Sequence, residues 1–224
     1  MAEASVFENG ISYEVLSKLD ANLVHLVVTS ITSQSDYSSF GDYLDTANLV
    51  FEQCYRILKH GRIIAVNIPH DKRVDQYAVM SNLLSIIGFE YVNTVCWYKT
   101  FHHNNQFDLV AIFKKPLDTS KELEVPFEYG DFHSSKIAPS TIWSIDFRQK
   151  KELEGESLPV DIAFKIIEKF TKLGDVVADP LTTHGSVGVA AKNLKRSYLL
   201  VQEDTVKYKA SMERIASQNL VLDL

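Results

Sequence analysis

The segment GDVVADPLTTHGSVGVAAKNLKRSYLLVQEDTVKYKASMERI, residues 174 to 215, constrains the fold more than any other part of the chain. It reads as a strand (175–179), a turn of mostly small residues (180–186), a helix (187–195), a strand (197–202) closing on polar and acidic residues, and a final helix from Thr205 to Ser217 with Asp204 as N-cap. Two short apolar strands, each feeding a helix, pair in parallel through a right-handed crossover. In nucleotide-type cofactor folds such a turn brings backbone N–H groups and a helix N-terminus to the ligand, and a carboxylate ending the next strand takes ribose hydroxyls. Any generic strand–turn–helix unit meets the same spacing.

The same alternation runs upstream. NLVHLVV (22–28) is a buried-type strand, and NLVFEQCYRILKHG (48–61) sets Leu49, Phe51, Cys54, Tyr55, Ile57 and Leu58 on one helical face before Gly61, a natural C-cap. RIIAVNI (62–68) is a second strand, and residues 74–89 have helical spacing ending at Gly88. Residues 91–99 and 107–115 are strands joined by the polar TFHHNNQ. Strands alternating with helices imply an α/β fold with a mostly parallel sheet and helices on both faces. From about 116 to 158 the pattern fails, and the charged, proline-punctuated run reads as an irregular insertion or recognition segment. A helix over 160–174 restores the alternation. The expectation is one domain over residues 1–224.

Charge narrows the function classes. With 23 Lys and Arg against 29 Asp and Glu, the net charge of −6 leaves no uniformly basic surface for nucleic acid, so any polyanion contact is local. No stretch approaches the ~18 consecutive apolar residues of a membrane span. Two cysteines, Cys54 and Cys96, form no close pair and suit a reducing compartment as core thiols. Together these read as a soluble intracellular protein, cytoplasmic or nuclear. His102, His103, His133 and His184 carry no paired ligand spacing, so no metal is expected. RQKK (148–151) reads as a solvated linker, and Trp97, Tyr98 and Trp143 as core or anchor residues.

Several segments, in order, resemble the S-adenosylmethionine-dependent amino-methyltransferases that modify DNA at adenine N6 or cytosine N4, in their permuted β class. LVVTSITS (26–33) resembles that family's strand and catalytic loop, FEQCYRILKHGRIIAVNI the helix and strand that follow, VCWYK and FDLVAIFKK later strands, and ADPLTTHGS the cofactor turn. The resemblance implies a Rossmann-like methyltransferase fold. It also implies that the loop's polar first residue and a proline carbonyl accept hydrogen bonds from the amine of a flipped base, while an aromatic residue stacks on it.

The departures fall on the chemistry. The loop maps to Ser30, Ile31, Thr32 and Ser33, with both prolines and the aromatic ring absent; Tyr37 is the nearest ring that could reach inward. A simpler reading is that Thr29, Ser30 and Thr32 satisfy the strand end with their hydroxyls. In the cofactor turn Asp179, Pro180 and Gly185 match the family, whereas Leu181 replaces a phenylalanine and Thr183 a glycine, which narrows the pocket and removes freedom for positive φ. The ribose-binding carboxylate maps to Gln202, with Glu203 one residue late and so on the other strand face. Upstream, Ile11 stands at an acidic position of a looser match.

The resemblance with its departures implies a degenerate member, with no cofactor expected. It would serve as a non-catalytic subunit partnering a homologous methyltransferase, in a heterodimer or homodimer, with DNA as a further contact. The alternatives are a divergent active DNA methyltransferase that uses Ser30 and binds S-adenosylmethionine, and a free-standing interaction or regulatory protein.

Overall fold

The computed structural model describes residues 5–31, 37–69, 75–99, 107–118, 142–145 and 158–218. In chain order the elements are β1 (Val6–Asn9), α1 (Ser12–Ser17), β2 (Val24–Ser30), α2 (Phe40–Ile57), β3 (Leu58–Pro69), α3 (Gln76–Ile87), β4 (Glu90–Lys99) and β5 (Phe107–Lys114). Then follow β6 (Ile142–Ile145), α4 (Val160–Phe170), β7 (Val176–Asp179), α5 (Ser186–Asn193), β8 (Ser197–Gln202) and α6 (Thr205–Ser217). One eight-stranded sheet has the order β1-β8-β7-β2-β3-β5-β4-β6. Every neighbouring pair is parallel except those of β5, which runs antiparallel to β3 and β4.

Alternation along each strand feeds two cores. On one face Leu26, Val28, Ile63, Ala65 and Val177 pack with Ile162, Ile166, Ala190 and Ile215 of α4, α5 and α6. On the other, Val27, Ile64, Val66 and Ala178 pack with Leu16, Phe51, Cys54, Met80 and Leu84 of α1, α2 and α3. The result is a Rossmann-like three-layer α/β/α arrangement. Among the described residues no helix is long and apolar enough to cross a membrane.

The elements differ from the sequence reading at several points. Helix α2 starts at Phe40, eight residues before Asn48, because Ser39 caps it by accepting the Asp42 amide at 3.1 Å. It ends at Ile57, not at Gly61. Residues 58–60 already belong to β3, and Gly61 (φ 73°) lies within that strand, its N–H donated to the Lys115 carbonyl at 2.8 Å. Leu49 is accordingly exposed and Leu58 is a buried strand residue. Gly88, by contrast, is the left-handed C-cap of α3. Helix α4 stops at Phe170, leaving Gly174 (φ 82°) in the turn before β7. Within the stretch read as irregular, residues 142–145 add an edge strand parallel to β4; the rest of 119–157 lies outside the described residues. Cys54 is buried and Cys96 only half-buried.

The crossover from β7 runs outward to β8, and that from β2 runs the other way to β3. The boundary between β7 and β2 is thus a topological switch point, where loops at the carboxyl ends diverge and leave a crevice.

Candidate active site

Ser30 is the last residue of β2, 4% exposed, paired in register with Asn67 of β3. Asn67 Nδ2 donates to Ser30 Oγ at 3.1 Å, and Ser30 Oγ donates to the Asn67 carbonyl at 3.4 Å. The ladder continues one residue further, since the Ile31 N–H donates to the same carbonyl at 3.1 Å. A proline at 31 could not make that bond. Ile31 is buried in the core under α2 and α3, and Leu181 packs against the same cluster. The two residues that stand where the resemblance has a proline and a phenylalanine therefore belong to one apolar layer, Ile31 within it and Leu181 packed against it. Thr32 and Ser33 lie outside the described residues. Tyr37 meets the Tyr43 ring edge-on, centroids 5.3 Å apart, and packs on that layer rather than lining the crevice.

On the β7 side Asp179 is buried and accepts from Thr29 Oγ1 at 2.8 Å and from the Leu181 amide at 3.2 Å. Burial pushes its carboxyl up to about 6, against hydrogen bonds from Thr29, Thr182 and the Leu181 amide that favour the charged form. The turn that follows is tied down through its carbonyls. Pro180 accepts from Ser12 Oγ, Thr182 from Gln202 Nε2, Thr183 from Ser211 Oγ at 3.4 Å and His184 from Arg214 Nη1 at 3.0 Å. These donors come from α1, β8 and α6, and none of them lines the crevice. The one positive φ in the turn is at Gly185 (76°), where a Cβ would stand 3.2 Å from Ile215 and Ser211. Thr183 is not at positive φ, so the backbone there adopts no conformation that a side chain would strain. What Thr183 does is line the crevice.

Gln202 is 8% exposed and both ends of its amide are engaged: Nε2 donates to the Thr182 carbonyl and Oε1 accepts the Asp204 amide at 2.8 Å. A carboxylate could not make the first of these bonds. Glu203, next along, is exposed. The crevice itself is lined by Ser30, Asp179, Leu181, Thr183, His184 and Ser186, with Leu158 and Val187 as apolar wall. Its interior is free to a water-sized sphere over only about 10 Å³, the space of one water molecule. Ser30, Asp179, Leu181 and Thr183 thus converge, while Pro180, Gly185, Gln202 and Glu203 stand behind or beside the crevice. Ile11, exposed, sits at the N-cap of α1.

Sequence reasoning missed Asn67 and the residues that hold the turn, Ser12, Ser211 and Arg214, because each acts across a long sequence separation without local pattern. Trp97 is buried, as a core residue should be, and also donates its indole N–H to Asn67 Oδ1 at 2.8 Å. Trp143 is partly buried, with Lys165 Nζ 5.8 Å from its ring centroid. Among the described residues no group of three or more His, Cys, Asp or Glu could hold a metal ion. His102, His103, His133 and RQKK are outside them.

Residues 24–213 match the profile of the N6/N4 DNA methylase family. Type II methyltransferase M.HpaI of Haemophilus parainfluenzae is 22% identical over 231 residues, covering 92% of this chain and 72% of the relative. M.MjaI of Methanocaldococcus jannaschii is 25% identical over 179 residues, 66% of this chain and 59% of its own length. Among solved structures, TTHA0409 of Thermus thermophilus, provisionally assigned as a DNA modification methylase, superposes with a TM-score of 0.76 at 21% identity, covering 98% of this chain and 97% of that one. The cytosine-N4-specific PvuII DNA methyltransferase gives 0.73 at 15% identity, covering 100% and 89%. At these identities the superpositions establish the fold.

Proposed function

Since this chain belongs to the N6/N4 DNA methylase family, we propose that it is a catalytically degenerate member, a non-catalytic subunit that partners an active DNA amino-methyltransferase and contributes to holding DNA. The observation that carries this reading is the crevice between Ser30 and the β7 turn. The space directly between Ser30, Asp179, Leu181 and Thr183 admits about one water. Three replaced positions weigh against S-adenosylmethionine in this reading. Leu181 and Thr183 line the space, and the Gln202 amide is committed to Thr182 and Asp204. Ile31 supports the same reading, because a buried aliphatic residue whose N–H is tied into the sheet stands where the resemblance has a proline.

The deciding experiment is a calorimetric titration of the pure protein with S-adenosylmethionine. The expected outcome is no binding in the micromolar range, and a low-micromolar Kd would overturn the reading. A second reading, a divergent active methyltransferase, is favoured by one observation: Ser30 and Asp179 line one crevice beside the left-handed Gly185. It also has the precedent that TTHA0409 has been crystallised with S-adenosyl-L-methionine. A tritiated-methyl transfer assay on DNA, with Ser30→Ala as control, separates the two.

A further inference from the structure

We propose that Asn67 is a positioning residue for Ser30, its side-chain amide locked by the Trp97 indole. The indole N–H can only donate. It lies 2.8 Å from Asn67 Oδ1, so the oxygen end of the amide must face Trp97 and the NH2 end must face Ser30, 3.1 Å away. This removes the usual ambiguity between the two ends of an asparagine. Trp97 and Asn67 are each 1% exposed, so water does not compete for the bond that sets the amide, while Ser30, 4% exposed, meets the crevice.

The consequence is directional. Ser30 Oγ receives a fixed N–H on one lone pair. Its own proton has as partner the Asn67 carbonyl at 3.4 Å, an oxygen already taken by the Ile31 amide. What position 30 offers to the crevice is therefore set from β3 and β4, two strands that carry none of the loop or turn residues. Electron density on the atom at this position is stabilised by a donor whose own amide is buried. The inference rests on the position of Ser30 at the crevice and not on turnover, so a protein that transfers no methyl group tests it equally.

The test uses the full chain with Ser30→Cys, which puts a titratable sulfur in place of Oγ. Thiolate formation is followed by ultraviolet absorbance against pH, with the wild-type signal of Cys54 and Cys96 subtracted. It is compared with Ser30→Cys/Asn67→Ala, which removes the donor, and Ser30→Cys/Trp97→Phe, which frees the amide to turn. Circular dichroism selects the variants that keep the fold. The introduced thiol is expected to ionise at higher pH in both double variants, by about one unit without Asn67, a tenfold change in acid constant. Coincident titrations in either folded double variant would overturn the proposal. The result is independent of the cofactor titration, since the thiol pKa reports the Asn67 contact whether or not S-adenosylmethionine binds.

Discussion

Gln202→Glu restores the carboxylate that the family resemblance calls for, and the structure says that it harms the protein. Gln202 Nε2 is the donor to the Thr182 carbonyl, and the side chain is 8% exposed. An ionised glutamate keeps the bond from the Asp204 amide but loses the donor, which costs about 1 kcal/mol as a net hydrogen bond. It also sets a buried anionic oxygen against a buried carbonyl, roughly a further 1–3 kcal/mol for polar atoms left without partners. A total of about 3 kcal/mol corresponds to a Tm fall of roughly 6–12 °C for a chain of this size. Both the burial and the opposing carbonyl disfavour the charge, so the folded-state pKa of the new carboxyl lies above its unfolded value. The deficit is then largest at neutral pH. It shrinks as pH falls toward the ordinary glutamate value of about 4.3, where the protonated acid again donates to Thr182. Scanning calorimetry at neutral and acidic pH reads both effects, and a cofactor titration on the same sample should still show no micromolar binding. An unchanged Tm at neutral pH, or a gain of binding, would refute the idea that this amide is a structural tie.

Ile31→Pro removes the N–H donated to Asn67 and part of a buried side chain; urea unfolding should show a loss of about 1–2 kcal/mol, and a variant as stable as the wild type would mean that the loop is not built into the sheet. Asp179→Asn should flatten the pH dependence of stability. Burial pushes the Asp179 carboxyl up to about 6, so its contribution is fully present below the ordinary value of 3.8 and lost as pH rises through about 6, by up to about 3 kcal/mol. Parallel Tm-against-pH curves for wild type and variant over that window would contradict this.

How much the sequence determined on its own can be seen at particular residues. Apolar runs of strand length, the N-cap at Asp204 and the left-handed C-cap at Gly88 are local matters, settled by hydrogen bonds within a few residues, and each is where the sequence put it. The order of elements implied a mostly parallel sheet, and the segments resembling the family imply its fold. Where a local signal met a long-range competitor, the structure overrode it. Gly61 looks like the end of a helix, yet Leu58 already pairs with Val24 of β2, and Gly61 and Arg62 exchange backbone hydrogen bonds with Lys115 just beyond β5, so this stretch is strand. Gln202 reads as a lost carboxylate, and only the turn folding back on β8 reveals an amide that both donates and accepts. Ser30 was legible as a candidate, but its orientation depends on Asn67 and Trp97, 37 and 30 residues apart from their respective partners. No periodicity carries that information, because a hydrogen bond across a sheet is fixed by strand order and register, and those are properties of the assembled fold.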